Sequence, residues 1–482
     1  MSETLQRLSV LPDRGIEPIP LSERTLSGFD LAILWGDLAI GLLVLVAGGL
    51  LVPGLGFMEA LLAIVLGSVA GVALLALAGV AGADHGVPTM VLLRPTLGLR
   101  GSWAPSVLNG LQLIGWTAVE LWAMSFVADI VSERIFGFSA RWLWLMVAAV
   151  VCTSLALWGP VGVTRVWMKR FGAWIVGGVS VVVTILALRT EGIGDLLTAP
   201  GTGDLNFGVA LDLVIALPVS WVPLVADYTR FSKSPRAAFG GTFWGYLFAN
   251  IWLYGLGALL VLSTNGTPSP SGMAAGILAL AGGSIAGILF LVGLLAGETD
   301  EAFADIYSGA VCIQNMFPNA SQRVLAVGIT AVSTVLAGWL TMERYEAFLF
   351  LIGSIFVPLF GVLAADYFVR RRRSIDVHHL YEQGGRYWFK GGFRIESVLP
   401  WFAGFAIYHW ILPTGPTWWL DAIGKVVTPV SDSVPWISAS VVAFAASFAI
   451  ALAFPDKLGS RHASVTGDVY HPDHQSDVGV RS

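Results

Sequence analysis

Four carboxylates crowd into eight residues of an otherwise apolar stretch: Glu298, Asp300, Glu301 and Asp305. An ionisable group in a segment that faces hydrocarbon is costly, and so marks a functional position by default. Carboxylates this close repel one another, and the strain is relieved by a shared proton or a bound cation. Two placements are open. The four line a water-filled cavity within one long span, or 297–305 is an external loop. The loop placement leaves only about a dozen residues before Pro318, too few to cross a bilayer.

A fifth acid stands alone in Trp35-Gly36-Asp37-Leu38-Ala39-Ile40-Gly41. Asp37 lies ~15 Å into its apolar run, near mid-membrane at ~1.5 Å per residue. The flanking glycines weaken a helix. A helix broken at that depth frees carbonyls for a cation and turns half-helix ends toward a solute. Trp35 then faces the cavity, while Gly36 and Asp37 belong to an ion site. The competing reading of the glycines is a close helix–helix contact.

Asn109, Gln112, Trp116 and Glu120 follow at spacings that put them on one helical face. An indole plane beside an amide and a carboxylate suits a flat heterocycle, stacked on its face and hydrogen-bonded at its edge. A polar seam between helices is the alternative. Pro218 and Pro223 bracket Trp221. Each proline removes a backbone donor, so this stretch is a second candidate break. It lies five spans after the first, where an inverted repeat of five puts its partner. Asp227 and Arg230 are spaced as a pair on one face and read as a structural anchor.

These residues need elements to hold them. The chain has 482 residues, 56% hydrophobic and 12% charged, against about 25% charged in a soluble domain. Lipid is therefore its solvent. Twelve spans are expected, near 28–52, 58–82, 103–130, 140–159, 167–188, 207–229, 237–262, 284–316, 322–341, 345–369, 397–413 and 433–454. The stretch 272–282 is too short to cross. With the N-terminus inside, 22 of the 27 lysines and arginines fall on the inner side, as the positive-inside rule requires. The expected layout is a cytoplasmic tail (1–27), a ten-helix core (28–369), a basic inner loop (370–396), two further helices (397–454) and a cytoplasmic tail (455–482). The arginines at 370–373 read as a topology stop or as ligands for lipid headgroups.

The same survey sets other classes aside. The first 27 residues lack the apolar core and cleavage site of a signal peptide. Cys152 and Cys312 both sit in apolar runs, which disfavours a disulfide. The basic residues lie at segment ends, not in a nucleic-acid patch. No nucleophile–base pair, phosphate loop or zinc spacing stands out. His378 and His379 fall in the inner loop, and His409 reads as a satisfied interior residue.

The order of Leu111-Gln112-Leu113-Ile114-Gly115-Trp116-Thr117-Ala118, then Asp227-Tyr228-Thr229-Arg230-Phe231, then Phe303-x-Asp305-x-Tyr307-Ser308 resembles the nucleobase:cation symporter-1 family, the purine/cytosine permease group. The likeness runs over about 14–450 and is greatest to the hydroxymethylpyrimidine and cytosine branch. It implies an all-α polytopic membrane protein of twelve transmembrane helices: a five-plus-five inverted repeat with helices 1 and 6 broken, plus two extra helices. It implies a substrate held between spans 1, 3, 6 and 8, with Trp116 stacking on it and Glu120 and Asp305 reading its edge. Two departures stand out. Sodium-coupled relatives carry hydroxyls near the positions of Asp300 and Glu301, so acids here favour protons. The family's span-6 aromatic aligns nearer Pro218, which leaves the role of Trp221 open.

The expectation is thus a multi-pass cell-membrane symporter with both termini cytoplasmic. It imports a pyrimidine or related base with protons or sodium by alternating access, and it needs no cofactor. Substrate-binding residues are Trp35, Gln112, Trp116, Glu120, Trp221 and Asp305. Ion-coupling residues are Gly36, Asp37, Asp300 and Glu301. The rivals are a same-fold carrier of allantoin, a hydantoin or an amino acid, and a membrane-embedded enzyme.

Overall fold

The computed structural model describes residues 14–158, 173–283 and 285–454. Among these there is no strand, only two isolated bridges, and helices account for the architecture. The first part of the expected span 167–188 and the tail 455–482 lie outside the described residues.

Helix α1 (Gly28–Asp37) opens on a capping box in which Ser27 accepts from Asp30 N and Asp30 accepts from Ser27 N. It stops after Asp37, and α2 (Leu42–Gly49) begins after an extended Gly41. The two halves are bent by 60°. Next come α3 (Phe57–His85), α4 (Trp103–Phe136), α5 (Arg141–Trp158) and α6 (Ala173–Leu188). α3 ends on a left-handed Gly86, the usual place for a residue without a Cβ.

Helix α7 (Phe207–Ser220) runs through Trp221 and a 3₁₀ turn, Val222–Leu224, into α8 (Val225–Thr229). The expected interruption is present but is not a sharp bend: the prolines tighten the chain into the 3₁₀ turn, and Phe207–Thr229 remains one 23-residue stretch long and apolar enough to cross. Then follow α9 (Pro235–Thr264), the short α10 (Pro270–Leu280), α11 (Ile285–Gln314), α12 (Gln322–Ala337), α13 (Met342–Ala364), α14 (Ile395–Ile411) and α15 (Ala439–Ala453). α11 is continuous through its acids, so the external-loop placement of 297–305 is excluded. Among the described residues, six helical stretches are long and apolar enough to cross a membrane alone, and the bent pair α1–α2 makes a seventh. α11 carries too many acids to qualify on apolarity and is buried by protein instead.

α9 packs against α1, α2 and α3, while α11 packs against α4. Half-helix α2 meets α9 backbone to backbone. A Cβ on Gly48 would lie 2.0 Å from the Tyr254 carbonyl oxygen, and one on Gly257 2.0 Å from that of Leu45. Side chains there would push the half-helix away.

Two expected surface regions are tied down. From residue 14 the N-terminal segment is packed: Ile16 and Ile19 are buried, and Leu26 N donates to the Phe231 carbonyl. In the 370–396 loop, Arg371 and Arg394 pair with buried Asp366 at 2.7 and 2.8 Å, and Arg373 pairs with Asp84 at 2.7 Å. Arg370 donates to the carbonyls of Ala451 and Phe454. Three arginines of the 370–373 run are thus engaged within the protein, which argues against a headgroup patch.

Candidate functional site

The break between α1 and α2 leaves the first amides of α2 without helical acceptors. Glu298 of α11 supplies one: Leu42 N donates to its Oε1, and Leu43 N bonds to the same carboxyl. Glycine stands on both sides of this close approach. A Cβ on Gly41 would lie 2.3 Å from Glu301 Oε1 and 2.8 Å from Glu298 Oε1, and one on Gly297 2.8 Å from the Ile40 carbonyl oxygen.

The acids form two groups around this break. Asp37 neighbours Asp300, and Glu120 of α4 neighbours both Glu298 and Glu301. All five are buried. Two carboxyl groups can hydrogen-bond to one another only by sharing a proton, because an ionised carboxylate has no donor. Thr299, the nearby hydroxyl, points away: it donates to the Leu295 carbonyl at 2.6 Å and contacts Met124 Sδ.

Beside the acids lies a small cavity of about 10 Å³, room for roughly one water. Trp116 and Glu120 of α4, Trp221 after α7, Tyr246 of α9, and Glu301 and Asp305 of α11 form its wall, with Leu38 and Ser220. Trp116 is fixed edge-on by Tyr345 and Phe348, at centroid separations of 6.1 and 5.4 Å. The structure therefore brings together Trp116, Glu120, Trp221, Glu301 and Asp305 from three separate stretches of chain.

Other expected site residues stand elsewhere. Trp35 is fully buried behind the wall, edge-on to Trp221 at 6.1 Å and to Tyr228 at 5.8 Å. Its indole packs because α1 turns that face toward α9 rather than the cavity. Gln112 donates through Nε2 to the Ser220 carbonyl at 2.7 Å. That carbonyl loses its helical partner because Leu224 N turns back to Trp221 O in the 3₁₀ turn. Gly36 precedes the break and faces α9, where a Cβ would come 3.3 Å from the Gly245 carbonyl oxygen. Asp37 and Asp300 sit at the break but off the cavity wall. Arg230 does not turn to the Asp227 carboxylate in its hydrogen bonds; it donates to the carbonyls of Asp227 and Gly15 and to Tyr307 Oη. It still anchors, but between the N-terminal segment and α11.

Sequence reasoning missed Tyr246 and Tyr345. Tyr246, Asn250 and Tyr254 recur every four residues, a polar-tipped face that was legible. Tyr345, whose hydroxyl donates to the Leu43 carbonyl at 3.2 Å, sits near a helix end and carries no such signal.

Comparison with known proteins fits this architecture. A family model described as permease for cytosine/purines, uracil, thiamine, allantoin matches residues 18–432. The allantoin permease of Bacillus subtilis (strain 168) is 25% identical over 435 residues, covering 82% of this chain and 86% of its own. The hydantoin permease of Microbacterium maritypicum is 25% identical over 391 residues, covering 78% and 79%. Among solved structures, Mhp1, a nucleobase-cation-symport-1 family transporter held closed with bromovinylhydantoin bound, superposes with a TM-score of 0.75 at 23% identity, over 94% of this chain and 98% of that one.

Proposed function

The chain belongs to the family of permeases for cytosine, purines, uracil, thiamine and allantoin, and from that premise we propose that it is a symporter for a flat nucleobase-like heterocycle, a pyrimidine in the first instance. As a member of this family it is a multi-pass membrane transporter and not an enzyme. The observation that carries the proposal is the convergence of Trp116, Trp221 and Tyr246 with Glu120, Glu301 and Asp305 on one buried cavity. Aromatic planes sandwich a ring, and carboxyls accept from ring N–H and amino groups at its edge.

A cavity of about 10 Å³ admits no heterocycle, so substrate enters by an opening of the bundle, and alternating access follows. Both termini lie on the cytoplasmic side in this reading, and transport is inward. The coupling ion is a proton, carried by the neighbouring buried carboxyls Asp37 and Asp300 and Glu120, Glu298 and Glu301. Support comes from Thr299, the hydroxyl set between the acids of α11, which is turned toward Leu295 and Met124. A second reading, allantoin or a hydantoin as substrate, is favoured by the names of two relatives.

The test is uptake of labelled cytosine, uracil, allantoin, hydantoin and a set of amino acids into proteoliposomes, with proton and sodium gradients imposed separately. Saturable uptake of one ring compound, driven by the proton gradient and lost in Trp116→Ala, is expected. Uptake driven by sodium alone, unaffected by a protonophore at clamped potential, would remove proton coupling. Transport of an amino acid but of no ring compound would remove the substrate assignment.

A further inference from the structure

Away from the transport pathway, the 370–396 loop gathers a second set of chemistry-bearing side chains. His378, His379 and Glu382 present three ligand atoms within 4.8 Å of one another. They stand on and just after a 3₁₀ turn, His378–Leu380. His379 Nδ1 lies 2.6 Å from Asp376 Oδ2, and its Nε2 lies 3.5 Å from Glu382 Oε2. Asp376 also accepts from His378 N at 3.2 Å, and its own amide donates to Tyr387 Oη at 3.0 Å. Burial pushes the Asp376 carboxyl up, but bonds from His379 and the His378 backbone outweigh it and leave the group below its ordinary value.

We propose that His378, His379 and Glu382 form a binding site for a first-row divalent transition metal, zinc being the representative ion, with Asp376 orienting His379. Imidazole and carboxylate are the donors that borderline ions of this class prefer. A ligating histidine characteristically donates its other ring nitrogen to a carboxylate, which fixes its tautomer and raises its basicity. The Asp376–His379 contact is that arrangement. It leaves Nε2 facing Glu382 Oε2 at 3.5 Å, a separation that two ligands of one ion can span. Three protein ligands leave a fourth position for water, the pattern of an open zinc site.

The frame beneath these ligands is rigid. Leu380 is fully buried and its carbonyl accepts from Arg94 Nη1 at 2.9 Å, while Tyr381 Oη donates to the Ile16 carbonyl at 2.6 Å. The site thus sits on the contact between the loop and the N-terminal segment, and a bound metal ties that contact together. The spacing His-His-x-x-Glu matches none of the common zinc patterns, so reading the sequence for those spacings passes over it.

The inference is independent of the transport reading, and its test does not use transport. The full chain, purified without a histidine tag and stripped with a chelator, is titrated with zinc, and cobalt is used as a spectroscopic reporter. Tail histidines His462, His471 and His474 set a background that every variant shares. His379→Ala and, separately, Glu382→Gln should each lose one zinc equivalent against the wild type. Asp376→Asn should keep the site but weaken it about 10–100-fold, the usual effect of losing a partner of a metal-bound histidine. Glu382 is exposed enough for its variant to fold whatever becomes of the other. Equal zinc stoichiometry in the wild type and Glu382→Gln, or no zinc retained by the wild type, overturns the site and leaves His379 as the centre of an ordinary ion pair.

Discussion

The two interruptions of the bundle are built on opposite principles. Between α1 and α2 the chain has no proline, yet it bends by 60°, and the amides it exposes at Leu42 and Leu43 are met by a carboxyl from another helix, Glu298. Between α7 and α8 the chain has Pro218 and Pro223, yet it stays one span. The group left over there is a carbonyl, Ser220 O, met by the amide of Gln112. The first break is held from outside by an ionisable carboxyl. The second is made by its own backbone and only needs a neutral partner. The difference teaches where titratable chemistry is built in: an acid that accepts from the amides of a break can also gain or lose a proton there. An amide cannot.

Replacing Glu298 by Ala strikes the first break hardest. Each buried N–H left without an acceptor costs about 1–3 kcal/mol, and two depend on this carboxyl. Thermal unfolding in detergent should come markedly earlier, and uptake should fall to background. Glu298→Gln keeps a carbonyl acceptor and should recover most of the stability. A Glu298→Ala variant with wild-type melting would mean that the break stands without its acid.

Gly41→Ala comes next. The backbone there is extended, at φ −132°, so alanine is not strained. Its Cβ would displace two flexible carboxyl ends, Glu301 Oε1 and Glu298 Oε1. The protein should express and melt near the wild type, with uptake reduced about tenfold, the equivalent of ~1.4 kcal/mol. Undiminished uptake would show that the positions of these carboxyls at the break are unimportant.

At the second break, Gln112→Leu removes one neutral hydrogen bond, worth about 0.5–1.5 kcal/mol. A modest drop in melting temperature with several-fold slower uptake is expected. If instead it destabilises as much as Glu298→Ala, the contrast between the two breaks collapses.

How far this contrast was legible in the sequence follows from its physics. Helix positions were legible because apolar length is a local property, and helices stand at each expected place within the described residues. The first break was legible in Asp37 and Gly41. At the second, prolines announced a disruption but not its angle, because the bend depends on what packs around it. Gln112 read as a site residue since an amide in an apolar face is conspicuous. Its true partner lies 108 positions away, at Ser220, beyond any local pattern. Trp35 and Trp221 carry the same signal, an indole at a break. Only packing decides that Trp221 reaches the cavity and Trp35 stands behind it.

The smallest effect is expected where the acid cluster meets the proposed substrate. Glu120 neighbours Glu298 and Glu301 and also faces the cavity. It therefore belongs both to the machinery of the first break and to the recognition surface, and Glu120→Gln separates the two. Glutamine keeps the side chain's shape and one acceptor oxygen, and its amide adds donors that an ionised carboxylate lacks. Its amide can donate to Glu298 or Glu301 without any shared proton, so folding and expression should be unchanged. At the cavity, an amide facing a ring amino group presents fewer acceptors, while one facing a ring carbonyl gains a donor. In a competition-uptake panel, cytosine-like compounds should lose a few-fold in potency relative to uracil-like ones, about 1 kcal/mol for one exchanged hydrogen bond. If the panel keeps its order and only the proton dependence of uptake changes, Glu120 serves the break alone, and recognition rests on Asp305 and the aromatic wall.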